Sequence, residues 1–155
     1  MSARLEPGQL DPARELAALI SEAFGDGAIV SFVGLARPTS ATAGALARLV
    51  LEQHPRMTAA SLDQIAANAL ARFAVSHVRV VHRCGSIAPG EPIVFAAAAA
   101  AHRRAAFDAA DYLMDRLKTD AIFWKREEGA AGSNWIEPTP TDRADATRWS
   151  TPCPE

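Results

Sequence analysis

Residues 92–118 read PIVFAAAAAAHRRAAFDAADYLMDRLK, and the fold turns on where in this stretch the chain stops being a strand. Alanine propensity favours helix through Ala96–Ala101, whereas Ile93-Val94-Phe95 favours strand. Placing the change near Ala100 gives a helix from about His102 to Lys118, with Ala106, Ala109, Ala110, Leu113 and Leu117 on its inner face.

Working outward, AIVSFVGLA (28–36), ALARLVLEQH (45–54), HVRVVHRCG (77–85) and AIFWKREE (121–128) read as strands, with a short further strand at WIE (135–137). The stretch 28–36 is expected to be buried, and Val78, Val80 and Cys84 share one side of their strand. Asp11-Pro12 starts a helix in which Leu16, Leu19, Ile20 and Phe24 fall at helical spacing, and Gly25-Asp26-Gly27 stops it. Thr58 caps a second helix through about Phe73, with Leu62, Ile65, Ala66, Ala69 and Leu70 inward. Residues 37–44 (RPTSATAG) read as a mobile loop, while SIAPGE (86–91) and GAAGSN (129–134) read as turns. Strands and helices mix without strict βαβ alternation, which predicts an α+β fold with a largely antiparallel sheet and packed helices. One domain is expected over 1–137. Pro138, Pro140, Pro152 and Pro154 predict a loosely ordered tail over 138–155.

The chain has 155 residues, 49% hydrophobic and 22% charged, with a formal net charge of −2. That is globular composition, and it argues against a wholesale binder of nucleic acid or acidic membranes. Two cysteines, Cys84 and Cys153, make no disulfide framework, and Cys84 reads as a packed core thiol. No apolar leader or membrane-length stretch is present, so a cytoplasmic location is expected. The histidines at 54, 77, 82 and 102 have no metal-ligand spacing, and no phosphate-loop or dinucleotide motif occurs. No metal and no cofactor are expected.

Of the 16 basic residues only Lys118 and Lys125 are lysines. Read alone, the pair fits either survival by chance or retention where an amine with a tunable pKa matters, since guanidinium cannot replace such an amine. The other basic segments sit at structural boundaries: Arg37 after a strand, His102-Arg103-Arg104 at a helix start, Lys125-Arg126 on a strand. Taken alone, these segments fit either an anion pocket or ordinary solvated ends.

The segments GAIVSFVGLAR (27–37), LEQHPRMT (51–58), HRCGSIAPGE (82–91), AHRRAAFDAADYLMDRLK (101–118), FWKRE (123–127) and WIE (135–137) together resemble the catalytic, large subunit of molybdopterin synthase. The resemblance implies transfer of sulfur from the C-terminal thiocarboxylate of a small ubiquitin-like subunit to cyclic pyranopterin monophosphate, making the molybdopterin dithiolene. It implies a heterotetramer built on a dimer of catalytic subunits, a hammerhead-like subdomain in the α+β fold, and no metal in the catalytic subunit. Carried over by residue, it makes Lys118 and Lys125 catalytic, and assigns substrate binding to Leu35, Ala36, Arg37, His102, Arg103, Arg126 and Glu127. The chain departs from its relatives at Leu35-Ala36, where a basic residue is frequent. It departs again after WIE, where Pro138-Thr139-Pro140 leaves Arg143 to supply any tail arginine. Two other readings use fewer of these residues: a non-catalytic scaffold for a ubiquitin-like tail, and an unrelated Schiff-base enzyme acting on a phosphate ligand.

Overall fold

The computed structural model describes residues 1–40 and 44–150. Its elements run β1 (Ser2–Glu6), α1 (Pro12–Glu22), β2 (Ala28–Leu35), β3 (Thr39–Ser40), β4 (Gly44–Gln53), α2 (Pro55–Arg72), β5 (His77–Arg83), β6 (Gly85–Ile87), β7 (Pro92–Ala100), α3 (Arg103–Thr119), β8 (Phe123–Gly129), β9 (Gly132–Ile136) and α4 (Pro140–Thr147).

Two sheets result, all antiparallel among the described pairs except β1 on β5. The first has the order β1-β5-β7-β2. Its central strand β7 is the alanine run. Val94 and Ala96 face the core shared with Leu62, Leu113 and Leu117, whereas Phe95 and Ala97 face Leu10 and Leu19. Helices α2 and α3 therefore cover one face and α1 the other. Small side chains let helices approach from both sides, so burial overrides alanine's preference for helix. The strand-to-helix change falls where expected, with His102 as N-cap and Ala106, Ala109, Ala110, Leu113 and Leu117 buried on α3.

The second sheet has the order β3-β4-β8-β9, with β6 also on β4. Helix α2 fixes where β8 starts. Thr58 Oγ1 donates to the Ile122 carbonyl at 2.6 Å, and Ser61 Oγ accepts from the Ile122 N–H at 3.2 Å.

Several expectations change. Thr58 is not a cap; it is buried inside α2, whose N-cap is His54, with Nδ1 accepting from the Met57 N–H. Ile20 and Phe24 are exposed, because α1 buries only a narrow stripe around Leu19. The stretch 28–36 forms β2, but as an edge strand with Phe32, Val33 and Leu35 exposed. Within the expected loop 37–44, Thr39–Ser40 pairs with Gly44-Ala45; residues 41–43 lie outside the described residues. The first turn contains β6, and the second gives way to β9 at Gly132. Cys84 is half-buried, not a core thiol, and Cys153 lies outside the described residues.

The tail is corrected as well: residues 140–147 form a helix in place of loose chain. Pro140 sits at its first position, where a missing N–H costs nothing, and Thr139 with Asp142 completes a capping box. Arg148 and Trp149 then clasp α3, both bonding Asp115 Oδ2, at 2.7 Å and 2.6 Å. The indole packs edge-on against Phe73 and Tyr112. Residues 151–155 lie outside the described residues.

No helix among the described residues is long and apolar enough to cross a membrane.

Candidate active site

A cavity of about 460 Å³ opens where the two sheets meet the C-terminal end of α3. That volume lies within the roughly 300–1,000 Å³ typical of small-molecule sites. Strand alternation decides what faces it. On β8, Lys125 and Glu127 point inward and Trp124, Arg126 and Glu128 point to the opposite face. Lys125 stands between Leu51 of β4 and Ile136 of β9, and all three line the cavity. Lys118 enters from the last turn of α3, beside Met114 and Leu117. The chain's only two lysines thus share one cavity with apolar walls.

Their electrostatic settings differ. Lys125 is half-buried and has no ion pair among the described residues; burial, then the charge of Lys118, pushes its pKa below the ordinary lysine value, against an opposing pull from Asp142. Lys118 is half-exposed and pairs with Asp142, Nζ to Oδ1 at 3.7 Å.

The HRCGSIAPGE segment reaches the cavity through His82. Arg83 is buried and donates to Glu91 Oε2 at 2.8 Å, closing the connection from β5 to β7. Gly85 and Gly90 stand at φ of 84° and 85°, a left-handed backbone that glycine adopts without strain. Next to Arg83, His82 lines the cavity with its ring stacked on Phe123 at 4.2 Å. Its Nδ1 lies 2.9 Å from the Arg83 carbonyl, which can only accept, so Nδ1 carries the proton. Burial pushes the His82 pKa down to about 4, so the ring is neutral near pH 7 and offers the cavity an acceptor, not a charge.

Of the substrate residues expected from sequence, Leu35, Arg37 and Glu127 line this cavity with the two lysines. Ala36 does not. It is buried, its N–H bonded to the Glu91 carbonyl and its carbonyl to the Gly90 N–H, and this clamp aims Arg37. Arg126 lies on the outer face, paired with Glu52 and Glu128 and packed over Trp135. His102 and Arg103 are exposed at the far end of α3, a helix of 17 residues and so about 25 Å long.

Sequence reasoning missed His82 and Asp142 as cavity groups. The first was visible only as part of a motif, and the second lay in a segment read as tail. The Thr139-Pro140-Thr141-Asp142 spacing is a capping-box signal that could have found it. Among the described residues no group of three or more His, Cys, Asp or Glu side chains is placed to hold a metal ion.

The family model described as MoaE protein matches residues 5–120. A curated relative, the molybdopterin synthase catalytic subunit of Caulobacter vibrioides, is 57% identical over 123 residues, covering 79% of this chain and 80% of its own. The protein of the same description from Pseudomonas aeruginosa is 44% identical over 149 residues, covering 96% of this chain and 99% of its own. Among solved structures, a molybdopterin biosynthesis MoaE protein from Burkholderia ambifaria superposes with a TM-score of 0.82 at 37% identity, covering 97% of this chain and 99% of its own.

Proposed function

The chain belongs to the MoaE protein family, and from that premise we propose that it is the catalytic subunit of a molybdopterin synthase, acting in molybdenum cofactor biosynthesis. It is a sulfurtransferase. The sulfur comes from the C-terminal thiocarboxylate of a small ubiquitin-like subunit, and the acceptor is cyclic pyranopterin monophosphate, which becomes the molybdopterin dithiolene.

The observation that carries this reading is the meeting of Lys118 and Lys125 in one cavity. Transfer of sulfur from an acyl carbon builds negative charge on the acyl oxygen, and a positive group placed beforehand in a poorly solvated site stabilises it. The Lys118 ammonium supplies that charge. Lys125, whose pKa is lowered by burial and by Lys118, is the group suited to give and take a proton. Arg37 reaches the same space and can bind the substrate phosphate through charge-assisted bonds. The apolar wall of Phe32, Val33, Leu35 and Ile93 suits a flat heterocycle and the extended end of a peptide.

His102 and Arg103 lie too far along α3 to serve the lysines of their own chain. They act on the pocket of a second copy, in the expected dimer of catalytic subunits within a heterotetramer. Arg126 supports the strand that carries Lys125, and the reaction belongs to the cytoplasm.

The test is turnover with the precursor and a thiocarboxylated small subunit, reading dithiolene product as its fluorescent oxidised derivative. Product that disappears when a plain carboxylate replaces the thiocarboxylate supports sulfur transfer. A stable complex that yields no product would turn the reading towards a scaffold.

A further inference from the structure

The wall of the cavity from Glu137 to Asp142 belongs to the segment that leads into α4. Asp142 is bound on both sides. Its Oδ1 faces the Lys118 Nζ at 3.7 Å, while its Oδ2 accepts from the Thr139 N–H at 2.8 Å and from the Thr139 hydroxyl at 2.7 Å. The Asp142 N–H returns a bond to Thr139 Oγ1 at 3.1 Å. The carboxylate is therefore fixed by the backbone of the helix start, and α4 is fixed in turn by the Arg148–Trp149 clasp on α3, the helix that carries Lys118. Burial opposes ionisation, yet the Thr139 bonds and the Lys118 charge hold the Asp142 carboxyl below its ordinary pKa. Among the described residues Lys118 pairs with no other acid.

We propose that Asp142 is a positioning residue of this site: it tethers the Lys118 ammonium at the cavity wall and balances that charge where Lys125 stands. The proposal rests on the reading of Lys118 and Lys125 as the catalytic pair. The charged and titratable groups lining the cavity around Lys125 are Arg37, His82, Lys118, Glu127, Glu137 and Asp142. Of these, Lys118 and Asp142 act on it in opposite senses, one favouring loss of its proton and the other retention. Removing the Asp142 charge alone leaves Lys118 unopposed, so Lys125 gives up its proton at lower pH.

A chain with only two lysines allows this to be read directly. Lysine labelled with ¹³C at Cε gives two titrating side-chain signals, assigned with Lys118→Arg. In Asp142→Asn, which keeps an oxygen for the cap, the Lys125 signal should titrate at lower pH than in the unsubstituted protein. Turnover should fall by about tenfold from the loosened geometry, the melting temperature should hold, and Asp142→Glu should recover most activity. An unmoved or raised Lys125 midpoint overturns the proposal, as does an activity loss that follows a lowered melting temperature and is not recovered by Glu. The titration needs no turnover, so an unsubstituted protein that makes no product sinks the sulfur-transfer reading without deciding the role of Asp142.

Discussion

Strands β7 and β8 make the comparison that organises this molecule. In β7 every residue from Val94 to Ala100 is buried, with helices on both faces. In β8 no residue is fully buried; one face looks into the cavity and the other carries Trp124, Arg126 and Glu128 towards solvent. An ammonium group on β7 would be stripped of water on both faces of the sheet, at a large cost in free energy. On β8 the same group is desolvated enough to move its pKa and still opens onto the cavity. The first sheet is covered by helices on both faces, and the second keeps one face open to the cavity.

The sharpest test of that division is Lys125→Ala. Product formation should fall by about a thousandfold, with a melting temperature that calorimetry cannot distinguish from the parent's; Lys118→Ala should behave alike. Lys125→Arg should also fail, because guanidinium keeps the charge but cannot release a proton. A lysine variant that unfolded would break the comparison. On the other side, Leu113→Ala beneath β7 should cost about 2–5 kcal/mol by denaturant unfolding, with the per-molecule rate of the folded protein kept.

Smaller and pH-dependent is Glu15, which joins α1 to the first sheet through Arg4 at 2.5 Å and Arg79 at 3.2 Å. The hydrogen bond from Arg4 is the main reason its carboxyl lies below the ordinary value of 4.5. A carboxyl depressed by folding contributes stability above its unfolded pKa and loses it as pH falls through the folded one. Acid unfolding below pH 4.5 should therefore be less steep in Glu15→Gln than in the parent. Least of all should be Glu52→Gln on the outer face of the second sheet. Its pairing with Arg126 at 3.4 Å is exposed, so stability should change by about 0.5 kcal/mol or less and turnover should hold within twofold.

The residues that were legible are those whose neighbours in sequence are also their physical cause. Asp11-Pro12 caps α1 through bonds to the Ala13 and Arg14 N–H groups, and Ile93-Val94-Phe95 carries the alanine run into a strand. The lysines were conspicuous by contrast with so many arginines. What stayed hidden depends on distant partners. That β2 is an edge follows from what pairs with β7 on each side, and β1 finds its place beside β5, more than 70 residues away. Thr58 looked like a cap because its bond to Ile122 joins segments that sequence keeps apart. The tail prolines signalled interruption, although one of them stands where a helix begins.

The order in which these parts leave the ribosome has its own consequence. All four strands of the first sheet lie within residues 2–100, whereas β8, β9 and α4 come after residue 122. The strands of the first sheet are therefore synthesised before either lysine, but the core beneath β7 closes only when Tyr112, Leu113 and Leu117 of α3 arrive with Lys118.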